Sequence, residues 1–120
     1  MKTTKEHFNL FKDECLKMQK VWQLNGWHLA FEHKEYRSAN AAMTRIGNHY
    51  NATLCLSKNI DHDKFIKIQS VNDEIKYLAK HEMCHLLLGR LTHVAECRWA
   101  TETELMEAEE ELVRKMCDII

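Results

Sequence analysis

Residues 74–90 constrain the fold of this chain most strongly, because they predict a helix with apolar side chains around nearly its whole circumference. The apolar positions are Ile75, Tyr77, Leu78, Ala79, Met83, Leu86, Leu87 and Leu88. Asn72 and Asp73 can cap the start of this helix, and Gly89 lies at its end. We expect the helix to be largely enclosed by the rest of the domain, so its polar side chains need partners.

Three of those polar side chains, His81, Glu82 and His85, belong to the sequence His81-Glu82-Met83-Cys84-His85, which is an HExxH motif. The two histidines are four residues apart and are therefore separated by only about 40° around the helix, so both imidazoles can reach one ion. Catalytic zinc sites use three protein ligands and keep a water in the remaining position. Glu82 is placed to act on that water as a general base. The motif predicts that Zn2+ is bound by His81 and His85.

The third ligand is sought on a final helix, residues 101–120, which begins with a possible capping box of Thr101 and Glu104. Glu109 lies at the centre of its apolar stripe, and we expect this carboxylate to point toward the core and the zinc. Glu102, two turns earlier on the same stripe, is the second candidate, and a surface position is the alternative for Glu109. The stripe consists of Leu105, Leu112, Val113, Met116 and Ile120.

Two other interpretations of the motif stay open. The HExxH residues are a surface patch if the apolar side of the helix is overestimated. His93 and Cys97 are also four apart, so together with His81 and His85 they could form a closed structural zinc site without a water. The metzincin pattern is excluded, because it requires Gly and His where this chain has Leu88 and Leu91.

The residues before the motif predict one helix and three short strands. Phe8, Phe11, Cys15, Met18 and Trp22 recur at helical spacing, and Thr3 with Glu6 fits a capping box at the start of that helix. Alternating stretches near 27–32, 39–46 and 50–56 predict strands, the last two separated by a turn at Gly47-Asn48. We therefore expect a single α+β domain over residues 1–120, with an N-terminal helix, a three-stranded sheet, the HExxH helix and a C-terminal helix.

Composition excludes several classes of protein. The chain has 17 Lys and Arg against 18 Asp and Glu, a net charge of -1, which disfavours nucleic acid as the main partner. No apolar run approaches the roughly 18 residues that a membrane span requires. The N-terminus lacks the apolar core of a secretory signal, and the 5 cysteines are scattered without a CxxC pair, which is typical of reduced thiols. We expect a cytoplasmic protein without a membrane partner.

Over positions 27–120 the chain resembles the zincin superfamily of zinc metallopeptidases, in the glutamate-ligand (gluzincin) style. It is most similar to the compact zincin-like proteins of phages and prophages, in which a sequence resembling AxHExxHLLL precedes a helix carrying AEE. Here those pieces are residues 79–88 and Ala108-Glu109-Glu110. The resemblance implies a minimal zincin-like fold, zinc ligands His81, His85 and Glu109, Glu82 as the catalytic base, and a peptide substrate that lies along a sheet edge.

The chain also departs from that superfamily. Larger gluzincins have further subdomains around the substrate cleft and a downstream His or Tyr that donates to the oxyanion, and no segment here matches either. His93, Arg98 and Tyr50 are the candidate donors. DNA-repair proteases of the SprT type use a third histidine, which only His93 could supply. The sequence predicts a zinc metallopeptidase that cleaves a peptide or protein substrate with Glu82 activating a zinc-bound water, and the alternative is a catalytically inactive, zinc-stabilised protein-binding module.

Overall fold

A computed structural model describes residues 1–45, 50–61, 70–97 and 100–117. The described part contains four helices and three strands, which confirms the α+β class. None of the described helices is long and apolar enough to cross a membrane. In chain order the elements are α1 (Lys5–Val21), β1 (His28–Lys34), β2 (Ala41–Arg45), β3 (Asn51–Ser57), α2 (Val71–Leu87), α3 (Gly89–Glu96) and α4 (Glu102–Cys117).

The three strands form one mixed sheet in the order β1-β3-β2. β1 pairs parallel to β3 and β2 pairs antiparallel to it, so that Phe31 and Met43 both lie beside Leu54. All three strands lie within two or three residues of the positions that alternation predicts. The predicted turn at Gly47-Asn48 lies outside the described residues. Because β3 is central, β1 and β2 are the two edges of the sheet.

One face of the sheet is covered by α1 and α2, which pack against each other. Alternate residues of the strands point to this face, as the two-residue period of a strand requires. The fully buried apolar side chains of this layer include Phe11, Cys15, Leu54, Leu56, Ile75, Ala79 and Met83. The core therefore lies between the sheet and the helix that carries the HExxH motif.

The start of α1 differs from the predicted capping box. Thr4, and not Thr3, is the N-cap: its Oγ1 accepts from the His7 N–H at 3.3 Å, and His7 Nδ1 accepts from the Thr4 N–H at 3.0 Å. Thr3 instead ties the N-terminal segment to the sheet, since its hydroxyl donates to the Ser57 carbonyl at 2.7 Å. Both threonines have a suitable side chain, and this long-range bond determines which one caps the helix.

The motif helix begins earlier and ends earlier than predicted. Ser70 is its N-cap and accepts from the Asp73 N–H at 3.1 Å, whereas Asn72 and Asp73 already lie within the helix. The helix ends at Leu87, and Gly89 starts the short helix α3, which the sequence did not predict. A Cβ on residue 89 would lie 3.6 Å from both the Arg45 Cδ and the Trp27 ring, so the chain passes close to β2 here.

The prediction that the motif helix is enclosed on nearly all sides is wrong. Its inner face is buried, with Ile75, Ala79 and Met83 each at 0% exposure. Its outer face is open, and Tyr77 is 48% exposed. The eight apolar residues include leucines at the end of the helix that are only half-buried, which is why counting them overestimated the enclosure.

The C-terminal helix begins as predicted but packs differently. Thr101 Oγ1 accepts from the Glu104 N–H at 3.1 Å, which confirms this cap. The helix packs mainly on α3, through Ala108 at 2% exposure, and not on the core. Much of the predicted stripe is open to solvent, with Leu105 at 40% and Val113 at 43% exposure. We expected α4 to pack on α2, but it packs on α3, a helix that the sequence did not predict.

Two methionines give a matched test of this core. Met83 is 0% exposed and Met106 is 62% exposed. We expect Met83→Ala to lower the free energy of unfolding by about 2–5 kcal/mol, because it leaves a cavity. Met106→Ala should change it by no more than about 0.5 kcal/mol. Urea unfolding in the presence of a chelator measures both without a contribution from metal, and equal losses would contradict this packing.

Candidate active site

The two histidines of the motif converge on one point at the surface of α2. His81 Nε2 and His85 Nε2 are 3.2 Å apart, and the ring planes are nearly perpendicular at 81°. Two imidazole nitrogens on a tetrahedral zinc, each at about 2.0–2.1 Å from the ion, lie about 3.3 Å apart. The pair therefore fits a shared ion. Without a metal, the same distance fits an N–H···N hydrogen bond between two neutral rings.

Glu82 lies about 60° around the same helix from His85 and about 100° from His81, on the side that faces the sheet. The residue is 8% exposed, and its carboxyl group accepts a hydrogen bond from the Met43 backbone in β2. Burial raises the pKa of Glu82 to about 7, and the Met43 hydrogen bond offsets part of this rise. A carboxyl group with a pKa near neutrality is suited to both accepting and releasing a proton. The motif thus presents two imidazoles outward and a buried carboxyl at the edge of the sheet.

A cleft of about 370 Å³ lies between β2 and the helices. Glu82, His85, Met43 and Arg45 all line it. A larger depression of about 580 Å³ is lined by Met1 and residues 35–40 and 59–61, and none of the predicted site residues belongs to it. The smaller cleft is therefore the candidate active site.

The β2 side of the cleft is a strand edge. The Ser57 N–H donates to the Asn40 carbonyl at 2.9 Å, which fixes which residues turn toward β3. Because these groups alternate along an antiparallel strand, the backbone N–H and C=O groups of Ala41, Met43 and Arg45 point away from β3. The hydrogen bond from Met43 to Glu82 agrees with this direction. The cleft thus offers polar backbone groups with which an extended peptide can pair.

Glu109 does not lie with the histidines in this structure. It is exposed, and no three His, Cys, Asp or Glu side chains of the described residues are grouped closely enough to hold a metal ion. The residue that α4 buries is Ala108, one position earlier. One residue corresponds to about 100° of rotation around a helix. The side of α4 that is buried therefore differs by about 100° from the side that the apolar stripe predicts. Glu102, the second candidate, is also exposed.

The other candidates are not brought together either. His93 and Cys97 do not form a group of metal ligands with His81 and His85 in the described part of the chain, so the closed zinc site is not assembled. Tyr50 packs edge-on against Trp27, with the ring centroids 5.2 Å apart, and it does not line the cleft. Arg98 lies outside the described residues. The structure therefore assigns no oxyanion donor among the three predicted candidates.

Cys15 of α1, which lies behind the motif helix, is a packing residue. Cys15 on α1 is 0% exposed. Burial raises the pKa of its thiol, and the charges of Glu82 and Glu14 raise it further. A thiol with a raised pKa stays protonated and is a poor nucleophile. Cys15 therefore supports the wall behind Glu82 and supplies no chemistry.

Sequence reasoning missed Arg45, the last residue of β2. Its side chain is only 18% exposed and reaches across the cleft entrance to α3, where Nη1 donates to the Gly89 carbonyl at 3.1 Å. Only the alternation of the strand predicts that Arg45 shares a face with Met43. Nothing local in the sequence indicates that this face meets the motif helix, because that contact joins segments 44 residues apart.

Comparison with known proteins gave no match: no protein-family model, no curated protein and no solved structure is significantly similar to the chain. The resemblance to zincins therefore rests on the motif residues of the sequence alone.

Metal binding distinguishes the possible ligand sets. We expect His81→Ala and His85→Ala each to weaken zinc binding by more than the roughly 10–100-fold that is typical of losing a second-shell partner. His93→Ala, a matched histidine on α3, should bind zinc as the wild type does. Competition with a chromogenic chelator measures all three affinities. Loss of zinc in His93→Ala would instead support the closed four-ligand site.

Proposed function

We propose that this chain is a zinc-dependent peptidase whose metal is held by His81 and His85 and whose general base is Glu82. One observation carries the proposal: the Nε2 atoms of His81 and His85 are 3.2 Å apart, and Glu82 and His85 line one cleft beside the edge strand β2. Two of the three ligands of a catalytic zinc, a base and an edge that can pair with a peptide are among the parts that metal-assisted peptide hydrolysis needs.

Glu82 performs the proton transfers in this proposal. It accepts the proton of the attacking water and returns it to the nitrogen of the leaving group. Zinc, when bound, supplies Lewis-acid polarisation of the scissile carbonyl. Burial raises the pKa of Glu82 to about 7. Near neutral pH its carboxyl group can therefore accept and release a proton with little change in free energy.

The substrate is held by β2. In zincins, the family that the motif resembles, an extended peptide pairs with a sheet edge, and β2 is the edge that borders His85 and Glu82. An incoming peptide takes hydrogen bonds from the backbone groups of Ala41 and Arg45. It also competes with Glu82 for the Met43 N–H, which leaves the carboxyl free to act on water.

Glu109 remains our candidate for the third ligand. Serving in this role requires α4 to approach α2. The exposed apolar side chains of α4 support such a movement, because Leu105, Val113 and Met116 are each at least 40% exposed and would gain burial against the core. Metal binding would then contribute to the stability of the docked helix.

The test of the peptidase proposal is Glu82→Gln. Glutamine has the same shape as glutamate and cannot act as a base, so zinc content and fold should persist while hydrolysis of a peptide library falls by about 10²–10⁴-fold. Zinc content is measured by metal analysis and hydrolysis by mass spectrometry of the products.

The alternative function predicts a different outcome. If the wild type with bound zinc cleaves no peptide, the protein is a zinc-stabilised binding module. If Glu82→Gln releases the metal, Glu82 is itself a ligand and the assignment of the motif is wrong.

Adjacent glutamates on α4 test the third ligand. Glu109 and Glu110 are both exposed and differ by about 100° in direction. Glu109→Ala should weaken zinc binding by more than about 10-fold and remove the increase in melting temperature that zinc gives, because binding to the native state alone stabilises it. Glu110→Ala should retain both. Equal zinc affinity in the two variants would exclude Glu109.

A further inference from the structure

Arg45 has a fixed position in the cleft. Its Nη1 donates to the Gly89 carbonyl at 3.1 Å, and its Cδ lies against Gly89, where a Cβ would be only 3.6 Å away. The side chain is 18% exposed, so most of it is held by these contacts. A guanidinium that is oriented in advance loses little conformational entropy when a ligand binds.

The guanidinium retains hydrogen-bonding capacity. It has five N–H donors, and the described contacts use one of them, on Gly89. Glu96 Oε2 is 4.0 Å from Arg45 Nη2, which is beyond hydrogen-bond distance, and the Glu96 side chain is 69% exposed. An exposed ion pair of this kind contributes little. The Glu96 carboxylate is therefore weakly held, and the carboxylate of a ligand can reach this guanidinium in its place.

Arg45 is also the only lysine or arginine among the described residues that line the cleft. The other polar lining groups close to the motif are Glu82, His85 and Thr92. Arginine binds carboxylates through two parallel hydrogen bonds, which gives both affinity and direction. The cleft thus has one cationic anchor, which lies at the end of the strand that faces the motif.

We propose that Arg45 binds a carboxylate of the peptide that pairs with β2, so that the preferred substrates are peptides with an acidic group at one position. This assignment rests on the proposed function for the identity of the site. The carboxylate comes either from an Asp or Glu side chain or from the C-terminus of the peptide. Both sources present the same planar, bidentate acceptor to the guanidinium.

The geometry places this group near the reacting bond. Arg45 is two residues beyond Met43, about 6.6 Å along the strand, and Met43 is the residue bonded to Glu82. Gly89, which anchors Arg45, follows His85 by four residues, at the start of α3. The acidic group therefore lies roughly two peptide residues from the bond that Glu82 acts on.

The test uses Glu82→Gln protein loaded with zinc, so that peptides bind without being cleaved. The probes are fluorescein-labelled, alanine-based hexapeptides in which Glu or Gln occupies each position in turn, each with a free or an amidated C-terminus. Fluorescence anisotropy gives the ratio of affinities for each Glu and Gln pair and for each free and amidated pair. Each ratio compares two peptides on the same variant. A general loss of folding lowers both affinities and does not by itself create a preference for one of the two peptides.

We expect one position to prefer a carboxylate by about 10-fold or more, as for a hydrogen bond to a charged group. A Glu-over-Gln ratio identifies a side chain as the source, and a free-over-amide ratio identifies the C-terminus. Adding Arg45→Gln should abolish the ratio, Arg45→Lys should retain part of it, and Glu96→Gln should increase it by removing the competing carboxylate. Arg114→Gln, an exposed arginine on α4, should leave it unchanged.

Two results overturn the role of Arg45: no carboxylate preference at any position, or a preference that persists in folded Arg45→Gln protein, as judged by its circular dichroism. These results are independent of hydrolysis. A wild type that cleaves peptides without an acidic preference contradicts only Arg45, whereas a carboxylate preference in a protein that cleaves nothing contradicts only the peptidase proposal.

Discussion

The contact between Glu82 and the Met43 backbone is the interaction on which the rest of the site depends. It joins α2 to the edge strand β2, and Glu82 is only 8% exposed there. Since residues one apart in a helix differ by about 100° and residues three apart by about 60°, turning Glu82 toward the sheet leaves His81 facing outward and His85 at the border of the cleft. The same contact holds the edge strand β2 against the motif helix. This buried polar contact therefore relates the orientation of the motif side chains to that of β2.

Much of the fold is predictable from local sequence, because its signals are local. Two-residue alternation predicted the three strands, and the Thr101 side chain caps α4 as its spacing with Glu104 indicates. The errors concern choices that long-range contacts make. The Thr3 hydroxyl donates to the Ser57 carbonyl, and Thr4 caps α1 instead. The helix α3 begins at Gly89, whose carbonyl accepts from Arg45.

The candidate site was predictable only in part for the same reason. The four-residue spacing is sufficient to bring His81 and His85 together, since the helix itself sets that distance. The prediction for Glu109 depended on which side of α4 faces the rest of the protein. An error of one residue there changes the predicted direction of a side chain by about 100°. For Arg45, alternation predicts its face of the strand and not its contact with Gly89. The proximity of two residues on one helix was thus predictable, whereas contacts that depend on how two elements pack were not.

The site is also uneven in how firmly its parts are held. Glu82 and the two imidazoles belong to α2, which packs on the core, whereas Glu109 belongs to α4, which is supported mainly by α3. A metal that recruits Glu109 would convert an open helix into a docked one, so binding and folding of the C-terminal region are coupled in this account. The exposed apolar side chains of α4 are then the surface that docking covers.

X-ray absorption at the zinc edge tests the central claim most directly, because it reports the number and the elements of the ligands in solution. The account predicts one zinc with two imidazole nitrogens and further oxygen ligands, all at about 2.0–2.2 Å, and no sulfur. A sulfur neighbour at about 2.3 Å, or fewer than two imidazoles, would contradict a centre built on His81 and His85 with an open position for water.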